Sequence, residues 1–274
     1  MATPGVSAAG QLPDRGGSAP AVGPPDAHRP RWVGLDGVHN LRDLGGLRAG
    51  RHRVRDGVLL RSEHLEDLTA EAARRLCQRF GLRSVVDLRD PREDPRAPEW
   101  ISTHGVTRLH LPLVDLTQVR GRWQLEQDIE QVYRAMLHAA GPVLVNLLRF
   151  LVGPGRTPAV VHCAAGKDRT GIAVAVLLAA AGVDRGDIVA DYLATEERLA
   201  QVRARLLQRP AYRSRGSSSF QRLSAAPILA VLSVLDDHPG GVEGFLTAQG
   251  ATADELDRWR TILLQRGEHE ARFG

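Results

Sequence analysis

Cys163 is followed, after five intervening residues, by Arg169 in the run His162-Cys163-Ala164-Ala165-Gly166-Lys167-Asp168-Arg169-Thr170-Gly171. A thiolate at Cys163 would attack phosphorus in line and form a cysteinyl-phosphate that water later hydrolyses, dividing one displacement into two. Arg169 offers a planar fork matched to two phosphate oxygens, which lysine lacks. Asp168 lies within the loop, where a carboxylic acid would protonate the departing oxygen and later activate water. Lys167, the single lysine among 36 Lys and Arg residues, adds a second cation and suits substrates with more than one anionic group. Small Ala164, Ala165 and Gly166 let successive N–H groups curl around one phosphate. Thr170 is expected to donate its hydroxyl to the sulfur, and His162 to orient the loop from behind.

The spacing alone is weak in so arginine-rich a chain, since Cys77 and Arg83 share it. Gln78-Arg79-Phe80-Gly81-Leu82 between them is bulky and falls at a helix end, so Cys77 is read as a buried helix cysteine. A turn that merely holds a structural anion does not require Cys, Lys, Asp and Arg together. A nucleotide-binding Gly-x4-Gly-Lys-Ser/Thr loop is excluded, because Asp168 stands where its hydroxyl belongs.

Such a loop needs a strand before it and a helix N-terminus after it, where backbone dipoles favour an anion. Residues 158–162 read as a short apolar strand and 170–181 as an apolar helix ending at Gly182. The helix dipole and Arg169 together favour the thiolate form of Cys163. Upstream, 54–61 is predicted as a strand paired with 47–53 across a Gly-containing turn. Thr69 should N-cap a helix that stops at Gly81, with strands at 84–88 and 106–113. Helices are predicted at 125–139 and 142–152, separated at Gly141-Pro142 because proline there ends a helix. Beyond the loop come helices from 187 to about 207, an Arg/Ser-rich stretch at 209–222 and two or three closing helices. Thr252-x-x-Glu255 is a capping box for the last of these, which runs to about Gln265. Strands separated by helices imply an α/β fold with a mostly parallel central sheet, flanked by helices, and ligands beyond its carboxyl edge.

The chain has 274 residues, 43% of them hydrophobic, enough for one sizeable core. Residues 1–30 are rich in Pro, Gly, Ala and Ser and are expected to form a disordered tail, leaving 31–274 as the catalytic domain. The net charge of +4 comes from scattered arginines, which favours anionic partners mildly and gives no nucleic-acid site. Two cysteines without ligand spacing argue against a disulfide framework or a zinc site, and neither metal nor cofactor is expected. The longest apolar run, 172–183, is too short for a bilayer, which takes about 20 residues. No basic-then-apolar leader is visible, so a cytoplasmic location is expected, with export by a signal-less route left open.

The loop at 162–171 resembles that of the bacterial tyrosine phosphatase family that includes mycobacterial PtpB. Asn40-Leu41-Arg42-Asp43-Leu44-Gly45-Gly46 is similar to that family's Asn-Phe-Arg-Asp-Leu-Gly-Gly element. Leu60-Arg61-Ser62 and Val86-Asp87-Leu88-Arg89 resemble its following strands, and Gly244-Phe245-Leu246 its C-terminal Gly-Tyr-Leu-like element. The resemblance covers 38–266. It implies a cysteine-phosphatase fold with additional C-terminal helices and hydrolysis of phosphotyrosine proteins, with phosphoinositides and phosphoserine or phosphothreonine accepted beside them. The family's loop aspartate is its general acid, which supports Asp168 in that role and makes a separate acid-bearing loop unnecessary. The substrate contacts would be Ala164, Ala165, Gly166, Lys167, Thr170 and Arg42, although Arg42 and Asp43 also fit a structural turn network. Asp87 is a reserve acid whose more ordinary role is a salt bridge to a nearby arginine. The stretch 209–222 matches least and is expected to contribute to a cover over the site. A rhodanese-like sulfurtransferase also places a loop cysteine before a helix, but Lys167 to Gly171 favours phosphate. A non-catalytic phosphotyrosine- or phosphoinositide-binding module would share the cradle but should have lost the nucleophile or the acid.

Overall fold

The computed structural model describes residues 1, 29–93, 96–115, 128–213 and 223–267. The expected tail, the first residues of the helix expected from Leu125 and most of the Arg/Ser-rich stretch lie outside the described residues. In chain order the elements are β1 (Arg31–Trp32), β2 (Arg42–Asp43), β3 (Arg48–Ala49), β4 (His52–Val54), β5 (Leu59–Ser62), α1 (Ala70–Phe80), β6 (Ser84–Asp87), α2 (Glu99–Thr103) and β7 (Thr107–His110). They continue with α3 (Ile129–Val152), β8 (Ala159–His162), α4 (Asp168–Ala180), α5 (Arg185–Ala194), α6 (Leu199–Leu206), α7 (Pro210–Arg213), α8 (Ala226–Asp237), α9 (Gly241–Ala248), α10 (Ala253–Leu263) and β9 (Leu264–Arg266).

The main sheet has the order β1-β2-β5-β8-β6-β7. Its β5-β8, β8-β6 and β6-β7 pairs are parallel, and β1 and β2 add an antiparallel edge. The sheet is therefore mostly parallel, as expected, and its strands are apolar on both faces because helices cover both. Alternation decides which core each residue joins: Leu59, Val86 and Val161 pack with the larger helical layer that includes α3, α4, α8 and α10. Their neighbours Leu60, Val85 and Val160 pack on the opposite face with α1 and α2. β8 lies between β5 and β6, so the loop that follows His162 emerges at the middle of the carboxyl edge.

Two expectations are corrected. The strand expected at 54–61 is two strands. Asp43 accepts from the Gly45 and Gly57 amides at 3.0 Å, and Gly57 adopts φ +72°, so the chain turns between Val54 and Leu59. β4 then pairs with β3 and β9 in a small separate sheet, while β5 enters the main one. The helix break at Gly141-Pro142 does not occur either, since α3 runs unbroken through both. A mid-helix proline costs about 3 kcal/mol. Burying Tyr133, Met136, Leu137, Leu144, Leu147, Leu148 and Leu151 along one stripe, at about 1.5–3 kcal/mol per large side chain, outweighs it. This helix is also long and apolar enough to cross a membrane by composition, but half of its most apolar window is buried inside the protein. The capping box at Thr252 and Glu255 forms, and Trp259 Nε1 ties α10 to the Leu177 carbonyl on α4 at 2.8 Å.

Candidate active site

The turn from β8 into α4 holds its shape through its carbonyls. Cys163 O accepts from His162 Nδ1 at 3.2 Å, Ala164 O from the His64 amide at 3.1 Å, Ala165 O from Asn40 Nδ2 at 2.9 Å and Gly166 O from Arg61 at 2.7 Å. In a trans peptide the C=O of one residue and the N–H of the next point in opposite directions. Anchoring four consecutive carbonyls on the outer side therefore turns the amides of Ala164, Ala165, Gly166 and Lys167 toward the inner side, an anion-binding concavity. Gly166 is required twice over: its φ is +67°, and a Cβ there would sit 2.5 Å from the Ser62 carbonyl.

Helix α4 begins at Asp168, two residues earlier than the sequence suggested, so Asp168 and Arg169 occupy its first turn. Cys163 is 2% exposed, and Arg169 is buried as well. Glu93, on the 3-10 turn Pro91–Glu93, takes both terminal nitrogens of Arg169, with Nη2 to Oε1 at 2.9 Å. Burial works against the Arg169 charge, but Glu93, and then Cys163, outweigh it and raise its pKa. Glu93 thus holds the fork in a fixed orientation, within electrostatic reach of Cys163. On the other side, Lys167 Nζ lies 3.5 Å from Asp168 Oδ1, and the Tyr133 hydroxyl donates to the same oxygen.

One sequence assignment changes, that of Thr170, while Arg42 and Asp87 take the structural network and the salt bridge that their sequence readings also offered. Arg42 does not reach the concavity: it is fully buried behind the loop, bonded through Nε to Asp191 at 2.8 Å and otherwise to Asn40, the Asp191 carbonyl and Thr195. Burial pushes its guanidinium down to about 10, with Asp191 opposing. Its contribution is indirect, because the Asn40 it holds carries Ala165. Thr170, expected to serve the sulfur, has its hydroxyl buried without a hydrogen-bond partner. Asp87 is no free acid, since it is bonded to Arg89 at 2.8–2.9 Å and to Arg108 at 3.0 Å. Burial would raise its pKa, but His162 and Arg89 hold it well below the carboxylate range.

A model of the tyrosine phosphatase family matches residues 33–265. The chain belongs to that family. Among curated proteins, a Cupriavidus necator protein that carries a tyrosine-protein phosphatase name is 36% identical, covering 65% of this chain and 68% of its own. The triple specificity protein phosphatase PtpB of Mycobacterium tuberculosis is 28% identical over 84% of this chain and 98% of its own. The solved core catalytic domain of the PP-IP phosphatase SIW14 from S. cerevisiae covers 74% of this chain and 90% of that one, at 14% identity and a TM-score of 0.39.

In this phosphatase several residues around the loop carry no local signal in sequence. Asp191 lies 2.5 Å from Arg61 and 2.8 Å from Arg42, and so supports two of the loop's anchors. Glu93 and Tyr133 touch Arg169 and Asp168 from distant stretches of chain. Asn40 and Arg61 fall inside the motifs that carried the family resemblance, which is the one signal that could have found them. The described start of the Arg/Ser-rich stretch lies near the loop, with Tyr212 in one buried apolar cluster with Ala164, Val202 and Leu206. Arg205 and Arg209 tie it down to Glu63, Glu66 and Asp67.

Proposed function

We propose that this phosphatase hydrolyses phosphotyrosine in proteins, and phosphoinositides beside them, through a cysteinyl-phosphate on Cys163. The observation that carries the reading is the set of four consecutive loop carbonyls held by His162, His64, Asn40 and Arg61, which turns the loop amides toward an anion, with a buried Cys163 and a Glu93-held Arg169 at the ends of the loop. The amides and Arg169 hold three phosphate oxygens and stabilise the charge they gather in the transition state. The Cys163 sulfur then bonds to phosphorus as the ester oxygen leaves, and Asp168 supplies that oxygen with a proton. In the second step Asp168 takes a proton from water as the water oxygen bonds to phosphorus and the sulfur departs as thiolate. Lys167, at the rim with Asp168, supports acceptance of a second phosphate on an inositol ring.

The test is phosphate release from a phosphotyrosine peptide and a short-chain phosphoinositide, in EDTA, by the intact protein and by Cys163→Ser. Turnover of the peptide by the intact protein and none by Cys163→Ser is the expected result. Turnover abolished by EDTA, or retained by Cys163→Ser, would overturn the assignment.

A further inference from the structure

The loop aspartate is not held by the loop alone. Tyr133, at the start of the core-facing stripe of α3, donates its hydroxyl to Asp168 Oδ1. Tyr192, from α5, meets the Tyr133 hydroxyl at 2.8 Å, and the two rings pack edge to face at 6.3 Å between centroids. Both tyrosines are buried, whereas the Asp168 side chain keeps partial exposure at the mouth. Tyr133 has one proton, and Asp168 takes it, so Tyr192 is the donor in the tyrosine pair. The chain of bonds has one direction: Tyr192 to Tyr133 to Asp168. Gly171 makes room for it, because a Cβ at that position would stand 2.9 Å from the Tyr192 ring.

The two contacts with the carboxylate fall on one oxygen, since Lys167 Nζ also approaches Oδ1. A carboxylic acid carries its proton on one oxygen at a time, and an oxygen already accepting a buried O–H and facing an ammonium is the worse site for it. We propose that Tyr133, backed by Tyr192, is a positioning residue for the general acid: by occupying Oδ1 it leaves Oδ2 as the oxygen that delivers the proton and later retrieves one from water. This inference rests on the reading of Asp168 as the acid and goes beyond it. Among the described residues, the charged and titratable groups that act on the carboxyl or its tyrosines are Lys167 from the loop, Tyr133 from α3 and Tyr192 from α5, with Arg61 from β5 acting on Tyr192. Burial, then Asp168, pushes the Tyr133 hydroxyl well above its ordinary range, so it stays a donor throughout the working pH range.

The experiment compares Tyr133→Phe, Tyr192→Phe, Asp168→Asn and the Tyr133→Phe/Asp168→Asn double variant on aryl phosphates with good and poor leaving groups, across pH. General-acid catalysis is worth about 10²–10⁴-fold. Tyr133→Phe should lose a part of that, about 10-fold, on poor leaving groups and under about 2-fold on good ones. Vanadate inhibition should be unchanged, Tyr192→Phe should act in the same direction more weakly, and Tyr133→Phe should add nothing on an Asp168→Asn background. Equal slowing of all leaving groups would reduce Tyr133 to a packing residue and overturn the inference while leaving Asp168 in place. If Asp168→Asn itself shows no dependence on the leaving group, the acid assignment fails, and the inference falls with it. Should Tyr133→Phe fail to fold, Tyr192→Phe decides by the same dependence on the leaving group.

Discussion

Asp191→Asn tests whether the loop is supported from behind by buried charge. Asp191 is buried between two buried guanidiniums, Arg42 at 2.8 Å and Arg61 at 2.5 Å. Removing one partner of a buried pair costs about 3–5 kcal/mol, because the charge left behind has no counter-ion in a medium that solvates it poorly. Asparagine keeps one acceptor oxygen, so the lower end, about 3 kcal/mol, is expected. For a domain of this size, at about 2–4 °C per kcal/mol, that is a fall of roughly 6–12 °C in Tm. Burial raises the Asp191 pKa, but Arg42 and Arg61 outweigh it and leave the carboxyl below its ordinary value. A depressed folded-state pKa means stability that is present above the unfolded carboxylate pKa and lost as pH falls through the folded one. The gap between the two proteins should therefore be full above about pH 5 and narrow below about pH 4. Calorimetric melts at several pH values, with activity read well below the variant's Tm, make the check. A loss under about 1 kcal/mol at pH 7, or a gap that widens in acid, would refute the reasoning.

Glu93→Gln should lower kcat/KM by about 10–100-fold, equivalent to about 1.4–2.7 kcal/mol, because Arg169 loses the charge that holds its fork. Iodoacetate should still alkylate Cys163 in that variant, and wild-type kcat/KM would contradict the role given to Glu93. Gly166→Ala places a Cβ 2.5 Å from the Ser62 carbonyl at a positive φ, and a left-handed L-residue costs about 1–2 kcal/mol before any clash. Vanadate affinity and turnover should both fall at least about 10-fold, and retained vanadate affinity would count against the inward-amide cradle. Asp87→Asn should flatten the acid limb of the stability curve below about pH 4, since the wild-type carboxyl is held ionised by His162 and Arg89 against burial. Urea titrations at pH 3–7 would reveal it, and an unchanged acid limb would exclude Asp87 from the balance.

Sequence legibility followed the range of the signals. The strand 158–162, the small-residue loop and the helix after it are local, and the structure reproduces them within two residues because periodicity and glycine placement act over a few positions. Thr69, Gly81 and the Thr252/Glu255 box were legible for the same reason. The helix break at Gly141-Pro142 was misread because proline is a local penalty, whereas the stripe from Tyr133 to Leu151 that overrides it gains its energy from partners elsewhere in the chain. Arg42 stayed open between substrate contact and a structural network for a related reason: its type suits an anion, and only the fold reveals that Asp191, 149 residues away, holds it. Glu93 and Tyr133 were invisible as single residues, since nothing near Glu93 or in the apolar pattern of α3 announces that one will face Arg169 and the other Asp168.

The central claim is the covalent step, and rapid-quench mass spectrometry during turnover of a phosphotyrosine peptide addresses it directly, with Asp168→Asn used to slow the hydrolysis of the intermediate. A phosphate on the peptide containing Cys163, absent from Cys163→Ser, is the predicted result; turnover with no phosphorylated Cys163 at any time point would contradict it.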